Sequence, residues 1–371
     1  MYYVTFKTNT NHTSNVQYTL DMLYEGIAPF VLDTTTQYTT IRKDNIDTFV
    51  SRLEHNTLYT ALINLLDTIN ELDKTYTVYR IPKTSGGYRE ISEPNETLKG
   101  YQRAIHNILV SLGVHPHDAV YSYVAERSCK DALIKHQQAN TQWFYKFDIK
   151  DFFPSCTLEV LTNSLKEKVF PFCALDEQRW AKLMDVALYN NGLPQGSPLS
   201  PLLSNMVLMP FDFYMHYSIK HFEGIYTRYA DDILISLPNK KDISFIENII
   251  NGHLCTHVSE GLELKTSKSR CGSIAGSNWN LGLMLNKDRN ITLGHERKMK
   301  LKAKINNFIY DFTNQNYWSI IDTTVLQGEV NYFKTIEPDY ASFVIRRLQE
   351  KHHTQLSLSE MFSQIIKGSL G

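Results

Sequence analysis

Arg228-Tyr229-Ala230-Asp231-Asp232-Ile233-Leu234-Ile235-Ser236 sets two adjacent carboxylates between an aromatic residue and an apolar, β-prone run. Adjacent acids suit a tight hairpin tip and not a strand interior. With Gly224-Ile225-Tyr226-Thr227-Arg228-Tyr229 before them and Ile233-Leu234-Ile235 after, the pattern predicts strand, two-residue acidic turn, strand, which would hold Asp231 and Asp232 rigidly above a sheet. Such a tip is a candidate divalent-metal site. An isolated Asp-Asp pair is most often an ordinary solvated turn, so the reading depends on its company. Upstream, Phe144-Tyr145-Lys146-Phe147-Asp148-Ile149-Lys150-Asp151-Phe152-Phe153-Pro154-Ser155 ends an aromatic run on an acid, where a buried strand would reach a site. Between the two, Gly192-Leu193-Pro194-Gln195-Gly196-Ser197-Pro198-Leu199-Ser200-Pro201-Leu202-Leu203-Ser204-Asn205 is a Gly/Pro-rich turn leading into an apolar-periodic helix.

The chain has 371 residues, 42% of them hydrophobic, enough for a sizeable core and two or three subdomains. Its formal net charge is -1, so any nucleic-acid surface must gather its positive charge locally. No apolar run approaches the roughly 18 residues of a membrane span, and the amino terminus lacks a secretory pattern, so a cytoplasmic protein without membrane contact is expected. The five cysteines, at 129, 156, 173, 255 and 271, form no CxxC pair or metal-ligand spacing and predict free thiols. His115-Pro116-His117 and His352-His353 lack partners at ligand spacing and predict solvated or packing roles.

Residues 1–50, rich in Thr, Asn, Tyr and Asp, read as an irregular amino-terminal extension. Leu58, Ala61, Leu62, Leu65, Leu66, Ile69 and Leu72 recur at three- and four-residue steps and predict an amphipathic helix. Two alternating runs around Ser85-Gly86-Gly87, from Tyr79 to Ile91, predict a hairpin carrying Lys83 and Arg89 across its turn. Leu98–Leu112 reads as a helix behind it. Helical periodicity returns in 157–191 and in 243–258. From Lys287 to Lys304, seven cations, Lys287, Arg289, Arg297, Lys298, Lys300, Lys302 and Lys304, are offset within the segment only by Asp288 and Glu296. This is the local basic patch that a near-neutral nucleic-acid protein requires.

The three segments around Asp148, Gln195-Gly196 and Asp231-Asp232 resemble, in order and rough spacing, motifs A, B and C of reverse transcriptases of the bacterial retron and group II intron type. The resemblance extends over about residues 76–350. It implies an α+β right-hand polymerase fold, with fingers at 51–140, a catalytic palm at 141–286 and a helical thumb at 287–371, and it leaves no expected room for an RNase H, integrase or endonuclease domain. Lys83 and Arg89 would hold the incoming triphosphate, which suits a point charge and a planar fork. Arg127, in Tyr121-Ser122-Tyr123-Val124-Ala125-Glu126-Arg127-Ser128, would meet template or nucleotide phosphate, while His136 would pack. Phe153 would be the aromatic gate against a ribose 2'-hydroxyl, with Asp151, Gln195 and Gly196 at the nucleotide and Lys268 near the departing pyrophosphate. Trp279–Leu285 resembles the primer-grip hairpin. Arg297, Lys298, Lys300, Lys302 and Lys304 would follow an RNA-DNA duplex through its phosphates. Two retron markers depart from the pattern: Ala132-Leu133 stands where many retron enzymes have Asn-Ala, and Trp279-Asn280-Leu281-Gly282-Leu283-Met284 replaces Val-Thr-Gly.

Bringing Asp148, Asp231 and Asp232 together without a counterion would be costly, since each pair near 4 Å repels by about 4 kcal/mol at an effective dielectric of 20. Hard oxygen donors without His or Cys select Mg2+, or Mn2+ in its place, and two such ions would together activate a primer hydroxyl and stabilise the pyrophosphate leaving group, with Asp148 and Asp231 the principal ligands and Asp232 accessory. The leading expectation is an RNA-directed DNA polymerase of retron type. Its template and primer would be a structured non-coding RNA, its substrates dNTPs and its product a small DNA. A toxic effector protein and an oligomeric effector complex would join it in anti-phage defence. The alternatives are a non-retron abortive-infection reverse transcriptase with protein-primed or untemplated synthesis, an idle RNA-binding scaffold, and an RNA-dependent RNA polymerase.

Overall fold

The computed structural model describes residues 2–5, 38–41, 56–83, 86–276 and 278–368. Most of the amino-terminal extension therefore lies outside the described residues. Within it, β1 (Tyr2–Thr5) pairs antiparallel with β2 (Tyr38–Ile41). Two compact units divide the chain, one made of Met1–Ser128 with Tyr145–Cys271, the other of Cys129–Phe144 with Gly272–Gly371.

In the first unit, helix Thr57–Thr68 starts where Asn56 Oδ1 accepts from the Leu58 and Tyr59 amides, and it buries Tyr59, Leu62 and Leu66. It ends before Leu72 because Ile69 turns extended. Next comes the two-stranded hairpin of β3 (Tyr76–Pro82) and β4 (Tyr88–Pro94), closed by Gly86 and Gly87 at positive φ. Helix Glu96–Ser111 follows, capped by Asn95, with Leu98, Gln102, Ile105 and Leu109 on its buried face.

A four-stranded sheet in the order β6-β7-β5-β8 carries the acids. Its strands are β5 (Trp143–Asp148), β6 (Ile225–Tyr229), β7 (Asp232–Leu237) and β8 (Arg270–Ser273). β7 is almost wholly buried, as an apolar run between neighbours should be. Among the helices of this unit are Ser200–Val207, Met209–His221 and Ile243–His257, the last burying Ile246, Ile250 and Leu254 at four-residue steps.

The β6–β7 hairpin differs from the expected one by a single position. Tyr229 pairs with Asp232, so the two turn residues are Ala230 and Asp231, and Asp232 opens the returning strand. Ala230 adopts a left-handed φ of 55°, a conformation that disfavours a side chain and persists only where the surroundings over-determine it. Here they do: the Ala230 amide donates to Ser122 Oγ at 2.7 Å and its carbonyl accepts from Arg228 Nη1 at 3.0 Å.

Arg228 has no solvent exposure, and neither does its partner Asp212. Its Nε and Nη2 donate to the two Asp212 oxygens at 2.7 and 2.6 Å, Tyr226 Oη donates to Asp212 at 2.5 Å, and Nη1 reaches Asn205 Oδ1 at 3.2 Å. Asn205 in turn donates to the Ser122 carbonyl. The backbone of Arg228 is held as well, its amide on the Ala119 carbonyl and its carbonyl on the Tyr121 amide. One buried guanidinium thus fixes the hairpin from behind.

The second unit contains helix Cys129–Gln138, the three-stranded sheet β11-β10-β9, and the helices His295–Thr313, Ile320–Ile336, Pro338–Lys351 and Leu358–Ile366. β9 (Asn278–Asn280) and β10 (Leu283–Leu285) form a hairpin with Leu281 and Gly282 both at positive φ, and β11 is Ile291–Thr292. Leu301, Ile305, Phe308, Leu326, Val330 and Phe333 are among its core residues. All five cysteines are free, and no helix among the described residues is long and apolar enough to cross a membrane.

Removing the guanidinium while leaving Asp212 buried creates an uncompensated charge, so Arg228→Met is expected to lose about 3–5 kcal/mol in urea denaturation. Adding Asp212→Leu should recover much of that loss. A single-variant loss of about 1 kcal/mol or less would show that the pair does not carry this role.

Candidate active site

Asp148 closes β5 with 7% exposure. The backbone on either side of it is bonded in both directions. The Ile149 amide donates to the Asp231 carbonyl at 3.0 Å, the Lys265 amide to the Asp148 carbonyl at 2.8 Å and the Lys150 amide to the Glu263 carbonyl at 2.9 Å. The first bond joins the end of β5 to the tip of the β6–β7 turn, bringing Asp148 and Asp231 together. The other two align residues 263–265 alongside, and the short 3-10 turn Thr266–Lys268 that follows delivers Lys268. Its Nζ lies 2.6 Å from Asp148 Oδ2.

Burial raises the pKa of Asp231, and the charges of Asp232 and Asp148 raise it further, against the pull of a backbone hydrogen bond and Lys268. Burial would lower the pKa of Lys268, but the hydrogen bond it donates to Asp148 and the charges of the three carboxylates outweigh it, and the net shift is upward. Asp232 is held by a second cation. Its Oδ1 pairs with Lys146 Nζ at 2.9 Å.

The donor set fits a divalent cation, because only hard carboxylate oxygens converge and a Lys268 ammonium already stands on one of them as a countercharge. Among the described residues no group of three or more His, Cys, Asp or Glu side chains could hold a metal ion by itself.

After Asp148 the chain leaves the extended form. Asp151, exposed and at φ 42°, turns it into the short helix Phe152–Ser155. Phe152 is buried and Phe153 half-exposed, so a helical turn, not strand alternation, separates the two rings. Phe153 meets the Tyr123 ring edge-on at 6.3 Å. The motif B turn is fastened to both neighbours: the Leu193 amide donates to the Phe153 carbonyl, and the Ser92 amide of β4 donates to the Gln195 carbonyl at 2.7 Å. A Cβ on Gly192 would lie 2.6 Å from the Pro154 carbonyl oxygen, and one on Gly196, at φ 128°, 2.7 Å from that of Ser92. Only glycine permits these approaches. Lys83 and Arg89 are exposed on the hairpin, with no ion pair among the described residues, and Gln195 is half-buried.

Other expected contacts are arranged differently. Arg127 is tied into its own unit, with Nη2 on Asp118 Oδ1 at 2.8 Å, Nη1 on the Asp118 and Val120 carbonyls, and the guanidinium 5.6 Å over Tyr121. These bonds use three of the five guanidinium donors and leave the Nε hydrogen and one Nη2 hydrogen outside them. In the second unit, two acids distant in sequence neutralise part of the basic run, Glu337 pairing with Lys298 at 3.0 Å and Glu329 with Lys304 at 2.7 Å, while Lys300 pairs with Glu296 of its own segment at 2.6 Å. Arg297 lies 5.4 Å over Tyr332, and Lys302 is exposed. His136 is buried, and burial alone pushes its pKa down to about 3, keeping it neutral. Neither Lys146 nor the Arg228–Asp212 pair is marked by a motif. Strand periodicity could have flagged Lys146, two residues before Asp148 and on the same face, and a charged residue inside the apolar β6 run demands a buried partner.

The chain is similar to several known proteins. Retron Ec83 reverse transcriptase of Escherichia coli is 28% identical over 286 residues, covering 75% of this chain and 86% of its own. Retron Ec73 reverse transcriptase of Escherichia coli is 26% identical over 276 residues, covering 72% and 85%. Among solved structures, the telomerase of Candida albicans with a TWJ fragment of telomeric RNA aligns at a TM-score of 0.47 and 13% identity over 92% of this chain and 72% of that one. The mixed α+β architecture is the one that a right-hand polymerase requires. Residues 81–301, more than half of the chain, match the family model described as Reverse transcriptase (RNA-dependent DNA polymerase), and the chain belongs to that family of enzymes.

Proposed function

We propose that this reverse transcriptase is of retron type and copies a structured non-coding RNA, which also primes it, into a small DNA joined to RNA, in the cytoplasm and in anti-phage defence. The naming of its relatives as retron reverse transcriptases supports the class. The bond from the Ile149 amide to the Asp231 carbonyl carries the catalytic reading, because it sets two carboxylates side by side at the end of the sheet.

In this reading residues 51–140 are fingers, 141–286 palm and 287–371 thumb. Asp148 and Asp231 hold Mg2+, or Mn2+ in its place, with Asp232 accessory. When bound, the metal lowers the pKa of a primer hydroxyl and screens the charge that builds on the leaving pyrophosphate. Lys83 and Arg89 clamp the triphosphate, Asp151, Gln195 and Gly196 line the nucleotide site, and Lys268 exchanges its pairing with Asp148 for the departing pyrophosphate. Phe153, held by Tyr123 and the Leu193 amide, crowds a ribose 2'-hydroxyl and so selects dNTPs. The protein thus acts chiefly through positioning and charge stabilisation. Arg127, Arg297, Lys298, Lys300, Lys302 and Lys304 contact nucleic-acid phosphates, the ion-paired ones among them exchanging a carboxylate for phosphate. A toxic effector and an oligomeric effector complex complete the assembly.

A non-retron defence reverse transcriptase is the second reading, favoured by one observation. Ala132 and Leu133 are buried where retron enzymes often place a polar Asn.

Purifying the protein from its native gene neighbourhood and sequencing its bound nucleic acid after RNase or DNase treatment separates the two. A defined DNA joined to RNA is expected, and homopolymeric or protein-linked DNA would favour the second reading. Asp148→Ala and Asp231→Ala should each lower dNTP incorporation by about a thousandfold or more in primer extension, the upper range for losing one preorganised electrostatic group. Retention of activity within about tenfold would refute the assignment.

Phe153→Ala should raise ribonucleotide use relative to dNTPs by about 10–200-fold, the range for a steric pocket contact. Unchanged discrimination would remove Phe153 from the gate.

A further inference from the structure

Lys146 stands two residues before Asp148 in β5, and in a strand those side chains share a face. Its ammonium lies 2.9 Å from Asp232 Oδ1, with the two side chains 32% and 28% exposed. This is a different setting from Lys268, whose side chain is 52% exposed and leaves a short turn at the rim. A rim lysine can move with substrate. A lysine on a central strand stays with the sheet. Among the described residues the ion pairs at this site reach Asp148 and Asp232, while Asp231 feels Lys268 without pairing with it.

The hairpin register creates the need for such a partner. Because the turn is Ala230-Asp231, Asp231 sits at the tip while Asp232 begins β7 opposite Tyr229. A short carboxylate there could otherwise swing toward the metal. A third protein carboxylate on Mg2+ would occupy a position that water and nucleotide phosphate must fill.

We infer that Lys146 is a positioning residue that keeps Asp232 accessory by holding it off the metal in the free enzyme, leaving Asp148 and Asp231 as the carboxylates that face it. This rests on the metal site proposed above. Without Lys146, the free enzyme would bind metal more tightly and the nucleotide less well.

The test is Mn2+ binding to full-length, nucleic-acid-free protein without nucleotide, followed by electron paramagnetic resonance. Lys146→Met should tighten Mn2+ by roughly five- to tenfold, the scale of one unit charge a few ångströms from a divalent ion in a partly solvated cleft. Lys146→Arg should stay within about twofold of the parent. Asp232→Asn, which leaves the Lys146 charge unpaired, should weaken binding by a similar factor, and the double variant should return close to the parent. Nucleotide KM should rise in Lys146→Met and recover in Lys146→Arg.

An unchanged or weaker Mn2+ affinity in Lys146→Met would overturn the inference. So would a double variant weaker than the parent, because Asp232 would then be a ligand itself. Asp232→Asn examines the same pair from the other side, so its tightening would overturn the inference even if Lys146→Met folds poorly. Asp231→Asn distinguishes the two levels. If it leaves Mn2+ binding intact, the metal site itself fails and the inference falls with it.

Discussion

An ion pair without solvent contact, Arg228 with Asp212, stands behind the acidic hairpin, and most of the local geometry depends on it. Burying two charges is unfavourable unless every donor and acceptor is satisfied. Here the guanidinium spans both Asp212 oxygens, the Asn205 side chain and the Ala230 carbonyl, and Tyr226 completes the carboxylate. The same group therefore balances its own desolvation and holds a left-handed alanine. That backbone conformation sets the register in which Asp231 takes the tip and Asp232 the strand.

Around this anchor, backbone hydrogen bonds link segments far apart in sequence. Ile149 reaches Asp231, Leu193 reaches Phe153, and Ser92 reaches Gln195. Main-chain bonds have little rotamer freedom, so the Phe153 turn, the motif B turn and the base of the β3–β4 hairpin are positioned by backbone. On the proposed reading, the chemistry falls to a few side chains at the edges: Asp148, Asp231, Lys268 and Phe153. Such supporting bonds are what hold reacting groups within the narrow tolerance that positioning demands.

Much of this was legible in the sequence because it is local. The three motifs, the hairpin around Gly86-Gly87 and the helices with three- and four-residue apolar steps each announce themselves within a short stretch of chain. What the sequence concealed was pairing across distance. Residues 287–304 look strongly basic when counted alone, yet Glu329 and Glu337, distant in the chain, pair with Lys304 and Lys298. Arg127 also has local partners that no motif announces, Asp118 and two carbonyls. The one-residue shift of the acidic turn escaped for the same reason. Alanine carries no signal for positive φ, and the groups that impose it, Ser122 and Arg228, act through the fold.

The two tight glycines have a consequence for how the chain can change. Gly192 abuts Pro154, Gly196 abuts Ser92, and both approaches are backbone against backbone. The stretch Gly192-Leu193-Pro194-Gln195-Gly196 therefore acts as a spacer of fixed span between the Phe153 turn and the hairpin base. Insertions and deletions are commonly absorbed by surface loops, which can bulge without disturbing their ends. This loop has no such slack. One residue more or fewer would pull Leu193 off the Phe153 carbonyl or Gln195 off the Ser92 amide, so length is as constrained here as residue identity, and tolerated variation is confined to side chains.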